Sequence, residues 1–162
     1  MQKHEVYDLA KTLHDGQLRK NGQPYFAAHV EPVYSAVKGL ITHYFPKMAT
    51  SSVIEIAEGG ALLHDAIEDK RATVDDLLRV HKVRRVYVTI AENLTRRSDE
   101  TYYDFINRIL NCDTLSIIVK LADIEHNMSD LAEGSLKDKY RFARAFILNK
   151  ISEIQIKNDE IV

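Results

Sequence analysis

Ala61-Leu62-Leu63-His64-Asp65-Ala66-Ile67-Glu68-Asp69 is the stretch that decides how this chain is read. It sets four ionisable side chains in an apolar, helix-forming run. On a helix, positions i and i+4 share one face. His64 then lies over Glu68, and Asp65 over Asp69. Carboxylates and an imidazole half sunk in an apolar core repel one another and lose hydration. A bound cation relieves both problems. The plainer alternative is a polar surface stripe on an amphipathic helix. Leu62, Leu63, Ala66 and Ile67 leave no wide polar face for it.

Two more polar residues stand in apolar, helical surroundings. His29 sits in Pro24-Tyr25-Phe26-Ala27-Ala28-His29-Val30. Asp123 sits in Val119-Lys120-Leu121-Ala122-Asp123-Ile124. The order is His, then His-Asp, then Asp, over three separated segments. His29, His64, Asp65 and Asp123 offer two imidazoles and two carboxylates to one divalent ion. Such a mixed set suits a six-coordinate Mn²⁺, Fe²⁺ or similar ion better than a structural zinc site. Four protein ligands leave two positions for water and substrate, an arrangement for hydrolysis.

On these residues the sequence resembles the HD-domain metal-dependent phosphohydrolases. More narrowly, it is similar to the (p)ppGpp hydrolase domain of RelA/SpoT-type proteins and to small alarmone hydrolases. Three further matches carry the narrowing. They are Gly16-Gln17-Leu18-Arg19-Lys20-Asn21-Gly22-Gln23-Pro24-Tyr25, the pair Glu68-Asp69, and Lys120-Leu121-Ala122-Asp123 followed by Asn127 and Asp130-Leu131. The match runs from about Val6 to Leu131, and the tail from Leu136 onward matches poorly. The family usually places proline directly after its first histidine ligand. Here Val30 follows His29, and Pro32 comes two residues after that.

The resemblance implies an all-α fold, a single HD-type helical bundle over 1–162 with a helical tail at about 135–157. It implies Mn²⁺ as the cofactor. Glu68 and Asp69 become the catalytic acids, since a carboxylate near the ion can orient water and move its proton. The plainer role for Glu68 is to brace a ligating histidine. Arg19 and Lys20 become substrate-binding residues at the mouth, a flat guanidinium fork beside a point charge. Asn127, one turn beyond Asp123, faces the same side and is placed on ribose or phosphate. The implied substrate is a guanosine 3′-diphosphate 5′-di- or triphosphate. The implied reaction releases 3′-pyrophosphate and leaves GDP or GTP. No P-loop glycine pattern is present, and the length leaves no room for a synthetase domain beside this one, so hydrolysis without synthesis is expected. The rivals are an HD phosphohydrolase acting on another nucleotide, such as NADPH or a nucleoside monophosphate, and a catalytically silent nucleotide-binding module. The intact Glu68-Asp69 pair speaks against the silent module.

Bulk properties fit this reading. The chain has 162 residues, 22 Lys and Arg against 24 Asp and Glu, and a net charge of −2. That balance gives no broad footprint for nucleic acid, so anion binding must come from local clusters and the ion. No run is long enough to span a bilayer, and no signal segment opens the chain. The single Cys112 excludes an intrachain disulfide and a cysteine metal site, and reads as a packed small residue. A cytoplasmic protein is expected, with a homodimer possible.

The hydrophobic pattern is helical nearly throughout. Val6, Leu9, Ala10 and Leu13 mark a first helix, and Asn21-Gly22-Gln23-Pro24 a turn. A second helix runs from about Glu31 to Tyr44. Ser51 or Ser52 caps a third that carries His64 through Asp69. Thr73-Val74-Asp75-Asp76 opens a fourth. Others follow near 83–94, 101–110, 115–131 and 136–157. Arg96-Arg97 reads as a solvated loop, the alternative being a pair that reaches a distal phosphate. Lys137, Lys139, Arg141 and Arg144 read as a solvated helix face, His14 as a core or capping histidine, and His126 as exposed or adjacent to the ligands. Tyr102 and Tyr103 read as core and rim of a helix.

Overall fold

The computed structural model describes residues 1–160, with side chains through Lys157. Among the described residues seven α-helices follow one another: α1 (Lys3–Leu13), α2 (Glu31–Tyr44), α3 (Ser51–Leu63), α4 (Arg85–Leu94), α5 (Tyr102–Leu110), α6 (Thr114–Ser129) and α7 (Ser135–Glu160). A π-helical turn, Phe26–Val30, runs straight into α2, and a second, Asp76–Val80, precedes α4. Among the described residues there is no strand, only an isolated antiparallel bridge between Leu18 and Pro24. The turn between them is closed by Gly22, whose φ is +82°, a region glycine enters without a Cβ penalty.

Caps fix the helix starts. Thr101 and Asp104 form a reciprocal capping box at α5, and Asp113 accepts the Ser116 N–H at α6. At α3 the cap is Thr50, which accepts the Val53 N–H, one residue before the serines expected. Thr73 and Asp76 cap each other as the sequence suggests, but the segment they open is a short π-helical turn.

Helix α3 is buried on every side from Ala57 to Leu63. It packs against α1, α2, α4 and α6. Gly59 and Gly60 set the approach of α4. A Cβ on Gly59 would lie 2.6 Å from the Tyr87 ring, and one on Gly60 would lie 2.6 Å from Ile90. The Tyr87 ring cannot easily retreat, because its hydroxyl donates to Glu55 at 2.6 Å and accepts from Arg84 at 2.8 Å. Gly59→Ala is therefore expected to lower stability by about 1–3 kcal/mol through overpacking. Urea denaturation measures this, and an unchanged midpoint would show that α4 moves away freely.

The core has two parts. One joins α1, the first π-helical turn, the end of α3 and α4, and includes Val30 and Leu63. The other joins α2, α5, α6 and α7, and includes Ala122 and Ile124. His29 and His64 sit beside residues of the first part, and Asp123 lies between two residues of the second. The polar residues singled out in the sequence thus meet at the seam between the two parts.

One expectation needs correction. Helix α3 stops at Leu63, and residues 64–70 form a series of turns. In a continuing helix the Ala61 carbonyl would accept the Asp65 N–H. Instead His64 Nδ1 donates to it at 2.7 Å, so the imidazole takes over a helix-ending carbonyl. Lys70, with φ +56°, then reverses the chain, and Arg71 and Ala72 both donate to the Ala66 carbonyl. One helical spacing survives, the Asp69 N–H on the Asp65 carbonyl at 2.9 Å.

Candidate active site

The π-helical turn before α2 supplies His29, the end of α3 supplies His64 and Asp65, and mid-α6 supplies Asp123. His29 Nε2 and His64 Nε2 are 3.2 Å apart. Asp65 Oδ2 lies 3.1 Å from the first and 3.0 Å from the second. Asp123 Oδ1 lies 3.3 and 3.8 Å from the same two atoms. Both histidines and Asp123 are buried.

The hydrogen bonds around the rings fix where their protons are. A carbonyl only accepts, so His64 Nδ1 carries the hydrogen it gives to Ala61. In the neutral ring, the form that binds a metal, Nε2 is then the bare nitrogen. Arg19 Nη1 only donates, so His126 Nδ1 accepts from it at 3.4 Å. The hydrogen between His29 Nδ1 and His126 Nδ1, 2.9 Å apart, therefore belongs to His29. In its neutral form His29 likewise turns a bare Nε2 inward. With both rings neutral, two nitrogen lone pairs and two carboxylate oxygens converge on one point. They repel unless a cation stands between them. His29, His64 and Asp123 have the spacing of a metal-binding group, Asp65 closes on both histidines, and the donor set fits a divalent ion.

Without a metal ion, a proton supplies that positive charge. Burial lowers the His29 imidazole, but hydrogen bonds and charge from Asp123 and Asp65 outweigh it and hold it up at about 9. Burial opposes ionisation of Asp123, but Lys120 and the histidines pull its carboxyl well below the usual range. Lys120 Nζ donates to Asp123 Oδ2 at 2.8 Å, and Asn127 Nδ2 donates to Asp123 Oδ1 at 2.7 Å. The Tyr25 hydroxyl donates to Asp65 Oδ2 at 2.6 Å.

Glu68 lines a cavity of about 270 Å³ that opens onto this cluster, together with Asp69, Arg96, Tyr102, Lys120 and Lys139. Its Oε2 accepts the Arg96 N–H at 2.8 Å. Burial pushes the Glu68 carboxyl up, against that hydrogen bond. Among the described contacts Glu68 bonds to neither histidine, so the bracing role has no support there. Asp69 accepts from Gln17 Nε2 at 2.6 Å.

Arg19 and Lys20 line an adjoining cavity of about 310 Å³, which shares Tyr25, Asn127 and Tyr140 with the first. Arg19 is well anchored. It donates to the Ala28 carbonyl and to Asn127 Oδ1, and pairs with Asp130 at 3.3 Å. Lys20 is exposed at the rim.

Several participants were not singled out by sequence. Tyr25 stands four residues before His29 on one helical face, a spacing that marks it in sequence. Lys139 was read as part of a solvated face. Its Nζ instead lies 3.9 Å from the Tyr102 ring centroid, inside the cavity. Burial, with Arg96 and Lys120 nearby, lowers the Lys139 ammonium, as expected where cations crowd together. Arg96 lies in an exposed loop, as expected, and also lines the same cavity, where its guanidinium holds the Glu100 carbonyl. His126 is the partner of His29. His14 is buried as expected.

The chain is all-helical among its described residues, brings His, His-Asp and Asp from three elements to one buried point, and has an HD-type fold. Among known proteins, its fold is that of the SpoT-type hydrolases. No family model matches the chain. The bifunctional (p)ppGpp synthase/hydrolase SpoT of Escherichia coli K12 is 31% identical over 147 residues, covering 85% of this chain and 19% of that protein. A GTP pyrophosphokinase of Myxococcus xanthus is 28% identical over 152 residues, covering 86% of this chain and 18% of that one. The chain thus spans less than a fifth of these curated relatives. A solved structure described as a metazoan ortholog of SpoT that hydrolyses ppGpp superposes with a TM-score of 0.65 at 19% identity, over 98% of this chain and 92% of that one. Among the described residues, no helix is long and apolar enough to cross a membrane.

Proposed function

We propose that this protein is a Mn²⁺-dependent cytoplasmic hydrolase of guanosine 3′,5′-bis(diphosphate)-type alarmones, releasing 3′-pyrophosphate to leave GDP or GTP. The observation that carries a metal-dependent hydrolase is the convergence of the Nε2 atoms of His29 and His64 with oxygens of Asp65 and Asp123, beside the Glu68 carboxyl, whose titration is pushed up. The substrate class rests on the names of the relatives. We read 1–162 as one catalytic domain, because the tail helix α7 brings Lys139 and Tyr140 to the cavity that Glu68 lines.

His29, His64, Asp65 and Asp123 would hold the ion. When bound, it supplies a water of lowered pKa and neutralises charge on phosphoryl oxygens. The remaining work falls to the chain. Glu68, with its raised carboxyl, takes and returns a proton at the reacting water. Asp69 orients that water. Arg96, Lys120 and Lys139 form a cationic wall for a polyphosphate. Arg19 and Lys20 hold the nucleotide end in the adjoining cavity, where a guanidinium can stack on a base and bond phosphate. Asn127 lines both cavities and bridges Asp123 to Arg19, so it links the two ends of the site.

The decisive experiment is turnover of ppGpp by the purified protein with Mn²⁺. Release of GDP and pyrophosphate is expected. Metal binding without turnover would keep the site and discard the substrate, and a panel of other nucleotides, NADPH included, would follow. Arg19→Ala is expected to raise KM about 10-fold, the loss of one charge-assisted contact. An unchanged KM in steady-state kinetics would remove Arg19 from the substrate.

A further inference from the structure

Asp69 does not stand alone at the cavity edge. Its Oδ2 accepts from Gln17 Nε2 at 2.6 Å. Gln17 Oε1 in turn receives Arg71 Nε at 2.9 Å and stands 2.7 Å from His14 Nδ1. The chemistry of these partners leaves one arrangement. A carboxylate only accepts and an arginine Nε only donates, so the amide nitrogen faces Asp69 and the amide oxygen faces Arg71. That oxygen needs a donor from His14, so His14 Nδ1 carries the hydrogen. His14 Nε2 is then the bare nitrogen, and it is buried without a hydrogen-bond partner. Burial also lowers the His14 imidazole, which keeps the ring neutral. The ring is stacked on Tyr25, with centroids 5.3 Å apart and planes inclined by 25°, and Tyr25 holds Asp65.

We propose that Gln17 is a positioning residue: clamped by His14 and Arg71, its amide aims the Asp69 carboxylate into the cavity. This assignment rests on the hydrolase reading above. A solvated aspartate on a turn otherwise samples several rotamers, and only some face the reacting water. The amide restricts it to one without entering the cavity itself. The clamp also explains a buried imidazole with one nitrogen unsatisfied. His14 gives up one hydrogen bond, and its other nitrogen fixes the orientation of Gln17.

The test compares Gln17→Met, Asp69→Asn and the double variant, with ppGpp and Mn²⁺. Gln17→Met keeps the length of the side chain and removes its hydrogen bonds. It is expected to lower kcat about 10- to 100-fold, the range for partners that orient a reacting group. KM and the Mn²⁺ affinity by calorimetry are expected to stay within about twofold. The double variant is expected to be no slower than Asp69→Asn. Losses that multiply in the double variant, or a change confined to KM, would overturn the proposal. If the parent does not turn over ppGpp, the hydrolase reading fails and the contact is judged separately. The Gln17 side-chain amide, followed by nitrogen-15 NMR, is expected to exchange slowly in the parent and quickly in Asp69→Ala. An amide signal indifferent to Asp69→Ala would show that Gln17 does not hold it.

Discussion

Glu68→Gln is expected to retain Mn²⁺ and to lose turnover of ppGpp by about 10²- to 10⁴-fold, the range for removing a general acid–base group. The substitution is nearly isosteric. The new amide oxygen can still accept the Arg96 N–H that Glu68 Oε2 accepts at 2.8 Å, so the Arg96–Glu100 loop stays in place. Glu68 is not among the four converging side chains, so their spacing is untouched. What disappears is the capacity to take a proton. The raised Glu68 carboxyl gives this prediction a second readout. Glu68 must be ionised to accept a proton, so kcat is expected to fall as pH drops through a value above that of an ordinary glutamate, and Glu68→Gln is expected to remove that limb. Steady-state kinetics across pH, with metal content measured beside it, checks both. Full activity in the variant would exclude Glu68 from proton transfer.

How legible the site was depended on what each residue's neighbours reveal in one dimension. His29, His64 and Asp123 stand as polar residues in apolar runs, and all three are buried. The limits of α2 were legible too, because Pro32 and Phe45-Pro46 act through backbone geometry alone. The end of α3 was not legible. Nothing local to Ala61–Asp69 reports that an imidazole turns back onto the Ala61 carbonyl instead of letting the helix run on. Lys139 failed for a related reason. A helix face with mixed charges looks solvated in sequence, and only the seating of α7 against α5 and α6 turns one of its lysines over Tyr102. The Gln17 clamp joins His14, Asp69 and Arg71, which lie up to 54 residues from it in sequence. Periodicity cannot register such a contact.

His64→Ala carries the other large effect. The imidazole supplies an Nε2 that stands 3.0 Å from Asp65 and 3.2 Å from His29. Its removal takes one donor from the cluster and leaves the Ala61 carbonyl only the long contact with the backbone N–H of residue 64, at 3.5 Å. Mn²⁺ affinity is expected to fall by more than the roughly 10- to 100-fold typical of changes outside the ligand set, and turnover is expected to vanish with it. Thermal denaturation gives a readout free of substrate. A ligand that binds only the folded state stabilises it by about 2.7 kcal/mol at 100 times its Kd. Mn²⁺ is therefore expected to raise the Tm of the parent and to leave that of His64→Ala unmoved. The pH dependence follows with its sign. His29 has a folded value raised from 6.5 to about 9. Its protonated form therefore stabilises the metal-free fold fully below about 6.5, and that contribution is lost as pH rises through about 9. The ion competes with that same proton, so the Mn²⁺-induced rise in Tm is expected to grow between pH 6.5 and 9. A His64→Ala protein that binds Mn²⁺ as the parent does, or a parent whose shift is flat across that window, would remove these histidines from the metal site.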